Sequence, residues 1–179
     1  MRPLGGDSVY RGRFIDVRRE RFRHPDGEVV TREIVRHPGA VGIVAHDDET
    51  IWLVRQPREA VAEEALLEIP AGLLDVEGES REQAARRELA EEIGRGARSW
   101  SPILSYYSSA GFSDECVHLF YATGLYPQHA SRDEEERIEV VRWPLRDLDG
   151  AISQTRDAKT LVGLLWLARR LEKGALQAG

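Results

Sequence analysis

The most informative segment of the chain reads ESREQAARRELAEEIG, residues 79–94. Ser80 followed three positions later by Gln83 is the pattern of a capping box, in which the two side chains bond backbone N–H groups at the start of a helix. Apolar residues then recur every four positions, and Gly94 is a residue type that commonly ends a helix. The segment therefore predicts an amphipathic helix over Ser80–Ile93.

Three glutamates of this segment, Glu88, Glu91 and Glu92, stand three and four positions apart. Residues at these spacings lie on one side of a helix, so their carboxylates converge and repel one another. Arginines can offset the repulsion, and so can hard divalent cations, which take oxygen ligands. A solvent-exposed face with ion pairs such as Glu82 with Arg86 is the alternative, and the helix alone leaves both interpretations open.

Short apolar runs on either side of this helix predict strands of a buried sheet. Before the helix the runs are 40–45 and 51–54, with a third at 66–72; after it they are 103–107, 117–122 and 138–143. Apolar residues along one face predict a closing helix over 158–171. Strands and helices do not alternate regularly, so we expect an α+β fold with a mixed β-sheet packed between helices.

The N-terminal part of the chain predicts a small antiparallel sheet with thin apolar cover. Strand-forming segments at 14–22 and 28–35 are joined by Asp26-Gly27, a pair that favours a hairpin turn. The ten residues before them contain proline and glycine, and we expect a loose tail there. Because a two-stranded ribbon is marginal in water, this hairpin needs a partner surface. We divide the chain into N-terminal strands, residues 1–38, and a main domain, residues 39–179.

Composition disfavours several classes of protein. The 179 residues include 25 Lys and Arg against 31 Asp and Glu, and the resulting net charge of −6 disfavours a nucleic-acid partner. No apolar run approaches the about 18 residues of a membrane helix, so we expect no membrane association. Cys116 is the single cysteine, which excludes an intrachain disulfide and fits a reducing, cytoplasmic compartment.

From Glu79 to Gly94 the sequence resembles the signature box of Nudix hydrolases, a glutamate followed by Arg-Glu-hydrophobic-X-Glu-Glu-X-Gly at the family spacing. Two departures are visible: the interval between Gly72 and Glu79 is one residue longer than the family pattern, and Arg95 stands at a usually apolar position. An extra residue in a loop costs little. The resemblance implies the Nudix fold and a Mg²⁺-dependent hydrolase of a nucleoside diphosphate linked to another group, with Mn²⁺ as a substitute.

The same resemblance implies which residues hold the metal ion. Glu88 and Glu92 would be ligands, Glu91 a ligand or catalytic neighbour, and the backbone carbonyl of Ala71 would complete the site. Arg87 would orient these groups. A diphosphate is itself negative, so Mg²⁺ would bridge it to the acidic helix and activate a water molecule.

Segments outside the box resemble the ADP-ribose pyrophosphatase branch of the family. Residues 67–72 match its strand before the box, Arg58 lies in a segment that supplies a phosphate-binding arginine, and Gly111 lies in its substrate loop, 109–115. The branch usually has proline at the position of Ala110. The resemblance implies hydrolysis of ADP-ribose to AMP and ribose 5-phosphate. Another nucleoside diphosphate sugar or a dinucleotide, and more distantly a non-catalytic ADP-ribose sensor, remain alternatives.

An acidic loop, residues 132–137, matches a loop of this branch that supplies a catalytic carboxylate. Glu134 and Glu136 are candidates for the general base, and Glu136 is also a candidate for an additional metal ligand. A solvent-exposed charged loop is the alternative interpretation.

The N-terminal strands match this branch as well. Arg32 and Glu33 correspond to a pair that reaches the adenosine end of the substrate. Phe14 is a candidate for stacking on adenine, with a core phenylalanine as the alternative. These strands pack across a dimer in the branch, so the resemblance implies a homodimer that binds a small nucleotide-sugar substrate.

Overall fold

In the computed structural model, which describes residues 1–131 and 137–178, the chain forms two β-sheets and three α-helices. The strands are β1 (Arg2–Arg11), β2 (Asp16–Arg23), β3 (Val29–Arg36), β4 (Ala40–His46), β5 (Thr50–Arg58), β6 (Glu63–Glu68), β7 (Ala71–Leu73), β8 (Arg95–Tyr107), β9 (Cys116–Pro127) and β10 (Glu139–Pro144). The helices are α1 (Arg81–Ile93), α2 (Leu148–Gln154) and α3 (Ala158–Ala178).

The larger sheet is mixed, as the sequence predicts. Its main path is β10-β5-β4-β9-β8, while β6 pairs with β5 and β7 pairs with β4. The pairing of β4 with β9 is parallel, and the other pairings are antiparallel. Strand β4 therefore lies at the centre of the sheet and carries β7 beside it.

Alternating side chains of β4 and β5 divide the core into two layers. Val41 and Ile43 pack with α1 on one face, whereas Val44 packs with α3 on the other. Successive side chains of a strand point to opposite faces, which is why continuous apolar runs lie between two layers of helices. The expectation of a mixed sheet packed between helices is confirmed.

Local signals fix the position of α1. The Ser80 hydroxyl accepts from the Gln83 backbone, the Gln83 side chain accepts from the Ser80 backbone, and Gly94 takes a left-handed conformation with φ of 66°. The predicted helix is therefore confirmed. Within the described residues, no helix combines the length and the apolar character needed to cross a membrane.

Other boundaries differ from the sequence prediction. Strand β8 starts directly after α1 at Arg95 instead of at Ile103, because its first half pairs with the end of β9. Helix α3 continues to Ala178, beyond the predicted end. The short helix α2 was missed, since it has only seven residues and too few apolar positions to show a helical period.

The predicted loose tail is wrong. Residues 2–11 form β1, and the N-terminal sheet has three antiparallel strands in the order β1-β2-β3. Backbone pairing, not apolar burial, holds β1, because most of its side chains are exposed. At Gly6 a Cβ atom would lie only 2.1 Å from the Arg19 carbonyl oxygen, so this close approach requires glycine.

Arg36 joins this small sheet to the loop 109–115, which precedes β9. Its guanidinium donates to both carboxylate oxygens of Glu20 and, at 2.8 Å, to Asp114. These bonds raise the pKa of Arg36 and lower the pKa of Glu20, in each case chiefly through the hydrogen bond between the two. Backbone bonds from Val35 to Phe112 and from Asp114 to Val35 hold the loop 109–115 against the end of β3.

Candidate active site

A cavity of about 820 Å³ lies where β7, the face of α1, the end of β5 and the start of α3 meet. A volume of this size suits a nucleotide-sized ligand. Six residues predicted from the sequence line it: Phe14, Arg58, Ala71, Glu88, Glu91 and Glu92. These residues come from four separate segments, and the fold brings them together.

Strand β7 approaches the acidic face of α1 very closely. The Ala71 N–H donates to Glu92 Oε2 at 3.1 Å, and Glu92 is only 3% exposed. At Gly72 an added Cβ would lie 1.9 Å from the carboxyl carbon of Glu88. The missing side chain at Gly72 therefore makes room for the Glu88 carboxylate beside the backbone of β7.

Arg87 offsets the negative charge of this face. Its guanidinium donates to both oxygens of Glu79 at 3.0 Å, to Glu88 at 2.6 Å and to Glu91 at 3.0 Å. The hydrogen bond to Glu79 is the main cause that raises the pKa of Arg87. Arg87 thus holds three carboxylates in one place and lowers their mutual repulsion.

The donor atoms around β7 are of the type that a hard divalent cation takes. Within the described part of the chain, no three acidic, histidine or cysteine side chains already form a metal cage. The carboxylates of Glu88, Glu91 and Glu92 nevertheless border one cavity beside the backbone of Ala71, and all are oxygen donors. These residues fit a hard divalent cation, for which they would be the ligands.

The arrangement of this helix and sheet agrees with known proteins. A model described as the NUDIX domain matches residues 36–161. The chain belongs to the Nudix family. A solved structure described as an ADP compounds hydrolase superimposes with a TM-score of 0.83 at 27% identity, covering 98% of this chain and 96% of that one. The predicted Nudix fold is therefore confirmed.

Two curated relatives are both described as ADP-ribose pyrophosphatases. The ADP-ribose pyrophosphatase of Bacillus subtilis is 38% identical over 182 residues, which span 99% of this chain and 96% of that protein. The ADP-ribose pyrophosphatase of Mycobacterium tuberculosis is 44% identical over 123 residues, which span 68% of this chain and 59% of that protein.

Three of the other residues predicted for this Nudix site, Arg32, Glu33 and Gly111, do not line this cavity. Arg32 and Gly111 line a second cavity of about 360 Å³ between the N-terminal sheet and the loop 109–115. Glu33 is exposed on β3, and its Oε1 lies 3.7 Å from Nη2 of Arg19. Glu134 and Glu136 fall outside the described residues.

Sequence reasoning missed a buried ionic cluster at the end of β6. Glu68 is fully buried, and it accepts from Arg58 at 2.6 and 2.8 Å and from the Lys159 ammonium. Lys159 also lies 3.0 Å from Asp157. A signal was available: a lone carboxylate inside the apolar run 66–72 requires a charged partner.

A histidine on the cavity wall was also missed. His37 Nδ1 accepts from the Gly39 N–H at 3.1 Å, and its Nε2 lies 3.9 Å from Glu115. Its ring stands edge-on to Phe14 with ring centroids 5.7 Å apart. His37 therefore supports Phe14, which is half exposed at the mouth of the cavity.

We expect Gly72→Ala to weaken metal binding while the fold is retained. The added methyl group conflicts with the flexible end of Glu88, so the carboxylate moves and the backbone does not. Mg²⁺ that binds the folded state raises the melting temperature, and this rise should be smaller in Gly72→Ala than in the parent.

Gly42→Ala is the matched control for that substitution. Gly42 pairs with Ala71 across the sheet, but its Cβ would meet the apolar ends of Leu119 at 2.8 Å and Ile69 at 3.1 Å. Gly42→Ala should lower stability and leave the Mg²⁺-dependent rise unchanged. An undiminished rise in Gly72→Ala would contradict the role assigned to Glu88.

We expect Glu68→Gln to change how stability depends on pH. Burial raises the pKa of Glu68, but bonds and charge from Arg58 and Lys159 lower it by more, so the pKa lies below its ordinary value. A lowered pKa adds stability above the unfolded pKa of about 4.3, and this contribution is lost as the pH falls through the folded pKa. The gap in unfolding free energy between parent and variant should therefore be widest above about pH 5 and narrow in acid.

Urea unfolding at several pH values measures this gap. Removing one partner of a buried pair costs about 3–5 kcal/mol; because Arg58 is 41% exposed, we expect about 3 kcal/mol or less at pH 7. Glu63→Gln on the same strand is the control, since Glu63 pairs with an Arg156 side chain that is 82% exposed. It should cost less than about 1 kcal/mol. A gap for Glu68→Gln that stays constant with pH would refute the ionic role.

Proposed function

We propose that this Nudix chain hydrolyses the diphosphate bond of ADP-ribose to AMP and ribose 5-phosphate. The observation that carries the proposal is the acidic face of α1 packed against β7 in a cavity that also contains cationic side chains. The names of the two relatives, ADP-ribose pyrophosphatase, support the choice of substrate.

The metal in this proposal is Mg²⁺, for which Mn²⁺ can substitute. Its ligands are the carboxylates of Glu88, Glu91 and Glu92 and the carbonyl of Ala71, with Glu136 as an additional ligand. When bound, the ion supplies charge neutralisation and a reactive water. The close contact of Ala71 with Glu92 supports this set, because it holds a carboxylate beside the backbone before any ion binds.

The substrate groups are assigned to residues around the cavity. Arg58 binds the diphosphate, since Glu68 fixes one edge of its guanidinium and leaves donors directed elsewhere. Phe14 stacks on adenine, which its exposure and its contact with His37 support. Glu134 or Glu136 acts as the base that takes the proton of the attacking water, with Glu91 as a further candidate.

The working unit in this proposal is a cytoplasmic homodimer. Arg32 and Gly111 border a different cavity from the glutamates, so a single chain does not unite the whole predicted site. The N-terminal sheet is mostly exposed on its own, and a partner would cover it. In the dimer, Arg32, Glu33 and Gly111 bind the adenosine part of the substrate.

Another nucleoside diphosphate sugar or a dinucleotide is the second candidate substrate. Ala110 favours it, because this residue borders the cavity of Arg32 and Gly111 and stands where the branch usually has proline. The same experiment decides between the two.

Incubation with a panel of nucleotide sugars and dinucleotides, followed by product identification, tests the function. With Mg²⁺ we expect AMP and ribose 5-phosphate from ADP-ribose, and a chelator should abolish the reaction. Glu92→Gln should lower kcat by orders of magnitude with the fold retained, and Gln at the true base should lower kcat more than it raises KM. Faster turnover of another substrate would replace ADP-ribose, and full activity in chelator would refute the metal mechanism.

Light scattering and mixed dimers test the assembly. The full chain should have twice the mass of one 20.2 kDa chain. Arg32→Ala and Glu92→Gln chains refolded together should recover part of the activity that each lacks, because one intact site forms from two damaged chains. A mass of one chain would contradict the dimer, and verified mixed dimers without recovery would contradict the shared site.

A further inference from the structure

Lys159 stands in the first turn of α3 and borders the same cavity as the glutamates of α1. Its side chain is 15% exposed. The chain has only two lysines among its 25 basic residues, and the other, Lys173, is exposed on the same helix. Lys159 is thus the one nearly buried lysine of this arginine-rich protein.

The contacts of Lys159 leave part of its ammonium group available. Its Nζ donates to Glu68 and forms an ion pair with Asp157 at 3.0 Å, so these contacts use at most two of its three N–H groups. Arg58 uses Nε and Nη2 on Glu68, and within the described residues its Nη1 makes no hydrogen bond. Both cations therefore keep N–H groups that can donate hydrogen bonds to a ligand in the cavity.

The position of Lys159 is also rigid. Asp157 accepts from both the backbone and the hydroxyl of Thr160, and the Thr160 hydroxyl accepts from the Ile69 N–H at 2.8 Å. These bonds tie the start of α3 to the segment that follows β6. An ammonium group held in this way loses little conformational freedom when it binds an anion.

Helix electrostatics do not account for a lysine at this position. The N-terminal end of a helix carries partial positive charge, so a cation in the first turn is disfavoured. Burial of the ammonium adds a desolvation cost. Glu68 and Asp157 offset these costs, but Glu68 already has a bidentate partner in Arg58, so its charge alone does not require a lysine at this position.

Charge balance in the cavity gives Lys159 a role. The α1 face contributes three carboxylates, and a diphosphate adds further negative charge to the same space. Arg87 is engaged with Glu79, Glu88 and Glu91, whereas Arg58 and Lys159 approach from β5 and α3. We infer that Lys159 is a further substrate-binding residue, which together with Arg58 donates to the diphosphate oxygens. This inference deepens the proposed function and rests on it.

Glu68 is then a positioning residue. One buried carboxylate accepts from both cations, so it fixes their separation although they lie 101 positions apart in the chain. It does not itself border the cavity.

Binding of ADP in the presence of a chelator, measured by calorimetry, tests the role of Lys159. ADP carries the diphosphate without the terminal ribose, so the result does not depend on whether ADP-ribose is the substrate. Lys159→Gln should weaken binding about tenfold, the effect of losing one charged hydrogen bond. It should also make binding less sensitive to salt, since one ionic contact is lost. Lys159→Arg should retain most of the affinity.

Lys173→Gln is the matched control and should bind ADP as the parent does, since it removes an exposed charge on the same helix. Circular dichroism and melting temperature show whether each variant is folded. Equal ADP affinity in the parent and a folded Lys159→Gln would overturn the inference, and so would a parent that binds no ADP without metal. A loss of ADP affinity in Lys159→Gln with unchanged salt dependence would also overturn the inference, because it would show that Lys159 has a structural role and no ionic contact with ADP. The proposed function is decided separately, by hydrolysis of ADP-ribose with Mg²⁺.

Discussion

Concentrated negative charge on one face of α1 is the constraint around which the site is built. Three glutamates within five positions repel one another, and repulsion on a partly buried helix face is weakly screened by water. Two contacts within the described residues reduce it: Arg87 bonds Glu79, Glu88 and Glu91, and the Ala71 N–H bonds Glu92. The first contact supplies positive charge, and the second fixes the helix against β7.

The buried carboxylate of Glu68 at the end of β6 holds the cations Arg58 and Lys159 beside the same cavity. Residues 67–71 connect both regions, because Ala71 bonds α1 while Ile69 and the Leu67 carbonyl bond Thr160 and Thr155 beside α3. A shift of this segment would therefore move the acidic face and the cationic pair together. Such coupling keeps opposite charges at a fixed separation, which a substrate with two phosphates requires.

The parts of the fold that the sequence predicts are those set by local interactions. The helix α1 depends on Ser80, Gln83 and Gly94, which lie within or next to it, so its bounds are visible in the sequence. Central strands such as β4 are recognisable because both faces are buried. Strand β1 was missed because its hydrogen bonds come from pairing with β2, and its exposed side chains leave no apolar pattern.

The residues of the site also divide into those set by local sequence and those set by long-range packing. The α1 glutamates follow from a contiguous motif, whereas Lys159 and Glu68 are 91 positions apart and meet only after the sheet and α3 have packed. Nothing near Lys159 in sequence distinguishes it from an exposed lysine of an amphipathic helix. The sequence signal lies at Glu68 instead, because a carboxylate inside an apolar run requires a cation from a distant part of the chain.

The separation of the two cavities has a physical consequence for the whole molecule. Arg36 and the hydrogen bonds between Val35 and the loop 109–115 hold that loop against the end of β3 in the N-terminal sheet. If the sheet packs against a second chain, the position of Gly111 relative to the glutamates of that second chain is set by the interface. The distance between these residues would then be a property of the dimer, and residues at the interface would influence substrate choice without touching the substrate.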